Sequence, residues 1–285
     1  MSNFDQRMLW VLALVLGMIT KPAFCEDSSI YGPFQTLLDR HLSEQQTDCG
    51  GLLSWFDYEG ALAAIDTLDL LQQQDALLAD FNPETLDTRE SAIAFWTNAY
   101  NYFMVQHLLT HPEEGQIVNS VRDYGSLFQP YRVFGLERFD VGGMDYSLRR
   151  IELDVLLGEE FAEQGWKDAR VHFAVNCASV GCPPLRQRVY QAANLDQMLT
   201  ENTRLALDTP LHLRQDGDRL LVTSLFDWYE DDFVEHSGSV RDFITTYGSE
   251  AVRAAAVSSD RLRFIDYDWR LNKEENFNEI SALSC

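Results

Sequence analysis

The sequence predicts an α+β fold, a mostly helical single domain that also contains two β-hairpins and a few short strands. Helical spacing of apolar residues dominates the first half, whereas the second half contains two short strand-like segments broken by glycine turns. No regular β–α–β succession, which would indicate a parallel sheet, is present. Since no linker rich in glycine, serine or proline divides the chain, we expect residues 26–285 to form one globular domain.

Three helices are predicted in the first half. Pro33 can open the first of them, whose apolar residues follow at helical spacing: Phe34, Leu37, Leu38 and Leu42. The second covers about 60–80, and its apolar stripe consists of Leu62, Ile65, Leu68 and Leu71. The third covers about 89–110 and ends at His111-Pro112, because proline cannot continue a helix.

The second half is predicted to mix hairpins, strands and helices. Gly142-Gly143 turns one hairpin between residues 138–141 and 144–146, and Asp216-Gly217 turns another within 211–223. Residues 170–176 alternate between apolar and polar side chains and predict a strand, and a last strand is expected over 262–267. The remaining segments predict helices over 147–157, 195–207, 224–234, 240–247 and 249–257.

The first 25 residues have the features of a cleavable signal peptide. Arg7 precedes an apolar run that is shorter than the roughly 20 residues a membrane-spanning helix needs. Lys21-Pro22 follows, and Ala23 and Cys25 supply the small residues that a signal peptidase requires. We therefore expect cleavage after Cys25 and a periplasmic or secreted protein. A lipid-modified Cys25, disfavoured by the bulky Phe24 before it, and an uncleaved anchor are the alternatives.

Composition restricts the classes of partner. The formal net charge is −23, so a general basic surface for nucleic acid or anionic lipid is not expected. Such a charge favours solubility and cationic partners. After cleavage no stable membrane anchor is predicted, and the expected partner is a small molecule or another exported protein.

Four cysteines remain after the expected cleavage, namely Cys49, Cys177, Cys182 and Cys285. They permit three pairings, and proximity favours Cys177–Cys182, which leaves Cys49 and Cys285 to pair or to stay free. In an oxidising compartment a structural disulfide is the usual outcome for two neighbouring cysteines. A reactive Cys177 and a pair of inert free thiols are the alternatives.

Two asparagines lie on one face of the predicted helix over 89–110. Asn98 and Asn101 are three residues apart, and each amide needs hydrogen-bond partners if it is buried. One interpretation is that they form, with Tyr100, the polar floor of a binding cleft. The other interpretation, which the usual satisfaction of buried polar groups favours, is that the two amides clamp a neighbouring loop.

The segment 170–185 carries the candidate chemistry. Its small residues allow backbone N–H groups to surround an anion. The positive charge of Arg170, at the start of the segment, would lower the pKa of a nearby cysteine thiol. Cys177 would then be a nucleophile, the amides of 178–181 an oxyanion site lined by Ser179, and His172 a proton-handling group. Along a strand the five-residue separation of His172 and Cys177 spans roughly 16 Å, so direct contact requires the chain to double back. Alternatively, His172 is a core-edge imidazole bonded to a carboxylate such as Glu152.

The remaining candidates are acidic. The segment 226–233 lacks the ligand spacing of a calcium loop, so its aromatic residues are expected to face the core and its acids to face water. Asp268, between Tyr267 and Trp269, is interpreted as an anchor of the last strand or as a residue that lines a pocket. No phosphate-binding glycine loop, dinucleotide fingerprint or zinc-ligand set is present, so no cofactor and no metal are predicted.

Together these motifs resemble the bacterial domain-of-unknown-function family 547. The likeness extends over about 89–272, in five separate segments in the same order: 94–101 (AFWTNAYN), 170–174 (RVHFA), 176–179 (NCAS), 181–185 (GCPPL) and 267–269 (YDW). Leu153 stands where relatives often carry histidine. The resemblance implies a shared fold, and the name of the family leaves its activity open.

Two hypotheses of function follow from the sequence. The first is a thiol-dependent hydrolase or transferase that acts on a small periplasmic substrate, with Cys177 and His172 as its catalytic residues. The second is a non-catalytic domain that binds a ligand or a protein and is held by a structural Cys177–Cys182 disulfide. The state of Cys177 in the folded protein distinguishes them, since a bridged sulfur is not a nucleophilic thiolate.

Overall fold

The computed structural model describes residues 30–136 and 138–278. Its α-helices, in chain order, are α1 Gly32–His41, α2 Tyr58–Ala63, α3 Thr67–Ala79, α4 Arg89–Thr110, α5 Glu159–Glu163, α6 Leu195–Leu207, α7 Leu225–Trp228, α8 Glu230–Ser237, α9 Val240–Tyr247 and α10 Glu250–Ser258. Its strands are β1 Leu42–Gln46, β2 Leu52–Phe56, β3 Phe139–Val141, β4 Met144–Tyr146, β5 Leu213–Asp216, β6 Arg219–Thr223 and β7 Arg261–Ile265. The α+β class with mostly helical content is therefore confirmed.

Two helical segments that are not α-helices also position the site. A 3-10 helix covers Ala169–Phe173, and a π-helix covers Arg150–Leu156, within the segment where an α-helix was predicted. Further 3-10 turns lie at Pro83–Thr85, Val121–Tyr124, Arg132–Gly135, Ala192–Asn194 and Glu274–Phe277. The π-helix is notable because single π-helical turns occur frequently at functional sites.

Helix α4 is the centre of the larger core. Thr88 caps its N-terminus by accepting a hydrogen bond from the Ser91 N–H group, and the helix ends at His111, directly before Pro112. The helix is buried on all sides over most of its length, so it behaves as a core helix rather than as a surface helix with one apolar stripe. The boundaries predicted for this helix are confirmed.

Three small sheets surround the helices. Strands β1 and β2 pair antiparallel, as do β3 and β4, while β5, β6 and β7 form one sheet in which β7 runs parallel to β6. Both predicted hairpins are therefore present, although Gly217-Asp218 occupies the turn of the second one. The β1–β2 hairpin was not predicted, because β1 is polar and exposed beyond its first residue and gives no alternating signal.

The predicted strand over 170–176 is wrong. The Asp168 carboxylate accepts a hydrogen bond from the Arg170 N–H group at 3.0 Å and starts a 3-10 turn instead. Every residue of this segment is buried, and Val171 belongs to the core around α4 whereas Phe173 belongs to a second core formed by the C-terminal helices and β5–β6. The alternation in the sequence therefore reflects contacts with two cores rather than one buried strand face.

The predicted helix over 60–80 is interrupted. Ala64 adopts an extended conformation that ends α2, and α3 starts at Thr67. Ile65 in the break is fully exposed and Leu68 is largely exposed, so the predicted stripe is wrong at these two positions. The helix over 224–234 is likewise divided into α7 and α8, whereas the helices over 195–207 and 240–247 are confirmed.

Two predictions concern residues that the structure does not describe. The signal peptide of residues 1–25 and the pairing of Cys285 lie outside the described residues. Within the described part of the chain, no helix is long and apolar enough to cross a membrane.

Buried His212 makes the stability of the fold dependent on pH. Burial lowers the pKa of His212 to about 4, against 6.5 for an exposed imidazole. Between these values the unfolded chain binds a proton that the folded chain does not, so the free energy of unfolding falls as the pH is lowered from 6.5 to 4, by up to about 3 kcal/mol from this residue. Urea denaturation at several pH values gives the free energy of unfolding as a function of pH. This free energy should change less with pH in His212→Gln than in the native protein, and an equal change in both would contradict the assignment.

Candidate functional site

A cavity of about 380 Å³ lies where α4, the π-helix, the 3-10 helix and the C-terminal segment meet. Tyr100 of α4, Glu152 of the π-helix and His172 of the 3-10 helix line one part of it. Trp228 and Tyr229 come from the junction of α7 and α8, and Tyr267 and Trp269 follow β7. Its wall is therefore assembled from segments far apart in sequence, and most of these side chains are aromatic.

Cys177 and Cys182 form a disulfide in this wall, with Cα atoms 6.3 Å apart, so the predicted bridge is confirmed. The Cys177 N–H group donates to Cys182 Sγ at 3.0 Å. Because bridged sulfurs carry no hydrogen, the Tyr267 hydroxyl is the donor in its contacts with Cys177 Sγ and Cys182 Sγ, at 3.2 and 3.1 Å. In this oxidised state Cys177 is not a free thiol, and a nucleophilic role requires reduction of the bridge.

His172 is held by a carboxylate, although not the one suggested by the sequence. Its Nε2 atom lies 2.8 Å from Asp232 Oδ2, and Lys167 Nζ lies 2.8 Å from the other oxygen of that carboxylate. The imidazole also stacks on Tyr229, with ring centroids 4.0 Å apart. Although burial opposes ionisation, the hydrogen bond from His172 and the Lys167 ammonium hold the pKa of Asp232 below its usual value. Asp232 was expected to face water and instead orients the imidazole.

The second imidazole nitrogen lies on the side of Glu152. Since the Asp232 carboxylate accepts a hydrogen bond, Nε2 of His172 carries a hydrogen, and this bond fixes the orientation of the ring. Nδ1 is buried and has no hydrogen-bond partner among the described residues; Glu152 Oε1 lies 3.9 Å away. This arrangement leaves one buried imidazole nitrogen without a hydrogen bond on the side of Glu152.

Glu152 is a nearly buried carboxylate among tyrosines. Its side chain is 12% exposed, and within the described ranges no lysine or arginine nitrogen lies within 4 Å of it. Burial, together with the negative charge of Glu152, raises the pKa of Tyr100 and of Tyr229 above the usual value. Both hydroxyls therefore keep their protons at neutral pH and remain hydrogen-bond donors. Arg149, which also lines the cavity, is exposed.

Asn98 and Asn101 clamp backbone segments, and neither lines the cavity. The Asn98 amide donates to the Tyr190 carbonyl and accepts from the Tyr190 N–H group, both at 2.8 Å. The Asn101 amide donates to the Ala174 carbonyl at 3.0 Å and accepts from the Asn176 N–H group at 2.8 Å. Of the three candidates on this helix, the structure brings only Tyr100 to the cavity.

The predicted oxyanion amides are already engaged. The Ala178 N–H group donates to Asn176 Oδ1, the Val180 N–H group to the Arg270 carbonyl, and the Gly181 N–H group to the Asp268 carbonyl. Ala178 has a positive φ of 61°, a conformation unusual for a residue with a Cβ atom, so this turn is held in shape by its contacts. These three N–H groups therefore do not form an open anion site.

Three other candidates lie away from the cavity. Arg170 is paired with Asp168 and Asp196, in each case with its Nη2 atom 2.6 Å from a carboxylate oxygen. Ser179 is buried behind the disulfide turn, where it forms a β-bridge with Leu271. The Asp268 carboxylate binds Arg270 at 2.6 Å, which fits its interpretation as an anchor of the last segment.

Sequence reasoning missed most of the aromatic lining and the role of Asp232. The alternation of Tyr267 and Trp269 around Asp268 signals two rings on one side of an extended segment, and this signal was available. Trp228 contacts both rings, with centroid distances of 4.9 Å to Tyr267 and 5.9 Å to Trp269. Nothing local in the sequence indicates that Trp228 and these rings meet.

The comparison with family models identifies the central part of the chain. Residues 83–205 match the family described as "Protein of unknown function, DUF547". This segment is a DUF547 domain. The matched range contains α4, the π-helix, His172 and the disulfide, whereas Trp228, Tyr267 and Trp269 lie beyond its end. No curated protein and no solved structure matches the chain.

The asparagine clamp of the DUF547 domain makes a direct prediction. Replacement of Asn101 by alanine leaves the Ala174 carbonyl and the Asn176 N–H group buried without a partner, and each such group costs about 1–3 kcal/mol. We expect Asn101→Ala to lower the free energy of unfolding by about 2–6 kcal/mol in urea denaturation. Asn119→Ala, at an exposed position, is the control, and an equal effect of both substitutions would refute the clamp.

Proposed function

We propose that this protein binds a small organic molecule in the cavity between the DUF547 domain and the segments that follow it. The observation that carries the proposal is a cavity whose wall combines several aromatic side chains with the Glu152 carboxylate and the Asp232-oriented His172 imidazole. A cavity of about 380 Å³ falls within the size range of ligand sites, which combine a mostly apolar lining with a few placed polar groups.

The disulfide fits this function as a structural element. It joins the two ends of the turn that carries Cys177 and Cys182, and it places both sulfurs in the cavity wall. We also propose that residues 1–25 export the protein to the periplasm or the medium. Disulfides persist in such oxidising compartments and are rare in the reducing cytosol, so the Cys177–Cys182 bridge supports this location.

Blocking the cavity tests the binding function. Leu153 lines the cavity, and a tryptophan at this position should fill part of the space that a ligand needs. A set of small cationic, neutral and anionic compounds is screened by ligand-observed NMR. We expect the compounds that bind the native protein to lose binding to Leu153→Trp. Leu68→Trp, an equal substitution at an exposed position of α3, should retain the binding. Equal binding to both variants would refute the cavity as the site.

A thiol-dependent enzyme is the second candidate function. Cys177 and the Asp232-oriented His172 line the same cavity, and a carboxylate–imidazole pair next to a thiol is the arrangement that activates a cysteine nucleophile. For this activity an external dithiol must reduce the bridge: it gives up two electrons, becomes a disulfide itself, and leaves two thiols on the protein. The Cys177 thiol would then give its proton to the His172 imidazole and become the attacking thiolate.

The reactivity of Cys177 separates the two functions. Cys182→Ala frees Cys177 without a reductant, and its alkylation by iodoacetamide at neutral pH can be located by mass spectrometry. If His172 activates the thiol, His172→Gln in this background should slow alkylation of Cys177 about tenfold, since the thiolate fraction falls. A rate that does not depend on His172 would exclude this nucleophile and leave the disulfide a structural role only.

A further inference from the structure

We propose that the ligand of this cavity is an organic ammonium ion, held by the Glu152 carboxylate within the aromatic wall. The inference rests on the proposed binding function and names the chemical class of ligand. It depends on three properties of the wall: a nearly buried carboxylate with no lysine or arginine partner among the described residues, several aromatic rings, and neighbouring tyrosine hydroxyls that keep their protons.

The negative charge belongs to Glu152. With only 12% of its side chain exposed, this carboxylate has lost most of its contact with water. Its recorded basic neighbour is the His172 imidazole, with Nδ1 3.9 Å from Oε1, and no lysine or arginine in the described ranges forms an ion pair with it. The other carboxylate near His172, Asp232, is paired with Lys167. A nearly buried carboxylate without a cationic partner is costly, and a bound cation removes that cost.

The rings supply the second property. Tyr267 and Trp269 lie with centroids 4.6 Å apart, and Trp228 stacks on Trp269 at an interplanar angle of 22°. Aromatic faces attract cations, and sites lined by several rings are a recurring means of binding alkylated ammonium groups. Two rings of this wall already accept a cation, because the Arg122 guanidinium lies 5.5 Å from the Tyr131 centroid and 6.0 Å from that of Trp269.

The polar neighbours of Glu152 do not neutralise it. Burial and the Glu152 charge keep Tyr100 and Tyr229 protonated, so they are dipoles rather than counter-ions. An anionic ligand would meet the like charge of the Glu152 carboxylate, whereas an ammonium ion finds a partner of opposite charge there.

Charges other than that of Glu152 affect the binding of a cation in opposite directions. The net charge of −23 raises the local concentration of cations around the protein. Arg149 lines the cavity but is exposed, so its repulsion of a bound cation is weakened by solvent and salt. Glu152→Gln and Arg149→Gln should therefore change the affinity for an ammonium ion in opposite directions.

The experiment uses the full chain and probes matched in shape. Protonated benzylamine, neutral benzyl alcohol and anionic benzoate differ mainly in charge, and choline has a neutral carbon analogue in 3,3-dimethylbutanol. Affinities are measured by calorimetry and by quenching of tryptophan fluorescence, since Trp228 and Trp269 line the cavity. Glu163→Gln and Arg188→Gln, both at exposed positions, are the matched controls for the loss of each charge.

We expect at least one of the two cations to bind more tightly than its neutral analogue. Glu152→Gln should weaken this binding at least about tenfold, Glu152→Asp should retain part of it, and Arg149→Gln should strengthen it about twofold. The urea midpoint of each variant shows whether it is folded. If Glu152→Gln is unfolded, Glu152→Asp, which keeps the charge, tests the site in its place.

Two results would overturn the inference, and both differ from a failure of the binding function. If neutral analogues bind as tightly as the cations, or if Glu152→Gln leaves cation binding unchanged, the cavity binds ligands of another class. If neither cation binds, the ammonium class is excluded, and the fragment screen on Leu153→Trp and Leu68→Trp still decides whether the cavity binds at all.

Discussion

The buried segment after the 3-10 helix has no regular secondary structure, and its backbone needs partners that neither a helix nor a sheet provides. Residues 174–185 are buried except for partly exposed Cys177. Asparagines supply the partners, because one amide both donates and accepts. Asn101 binds the start of the segment, Asn202 of α6 donates to the Pro184 carbonyl, and Asn98 binds Tyr190 beyond its end. Two helices thereby fix the position of the segment that carries the disulfide.

The C-terminal part of the cavity wall depends on the same segment. The Val180 and Gly181 N–H groups donate to the carbonyls of residues 270 and 268, and the Asn272 N–H group donates to the Ala178 carbonyl. Gly181 allows this close approach, since a Cβ atom there would lie 3.0 Å from the Tyr267 ring. The positions of Tyr267 and Trp269 at the cavity therefore follow from backbone pairing with the disulfide turn, although both rings lie beyond the residues that match DUF547.

Prediction from sequence succeeded where structure is local and failed where contacts are distant. Helices α4 and α6 were predicted because periodicity and a proline stop act within a few residues. The segment 170–176 was misassigned because burial against two cores produces the alternation of a strand.

Asp232 was expected in water, since no local pattern indicates that His172, sixty positions earlier, needs its carboxylate. The hydrogen-bond capacity of the amides alone correctly favoured Asn98 and Asn101 as clamps, but the backbone groups that they bind could not be predicted.

The redox state of one bond decides which chemistry the site can perform. Asp232 orients the His172 imidazole, with its other nitrogen on the side of Glu152, through a contact that does not involve the cysteines. With the bridge closed, the wall offers a carboxylate and aromatic rings, the groups from which the proposed ammonium site is built. With the bridge open, Cys177 would present a thiol to the cavity that His172 also lines, as the proposed thiol-dependent function requires. The proposed export would place the protein in an oxidising compartment, where the closed state is the stable one, and the proposed binding function is the one that requires the closed state.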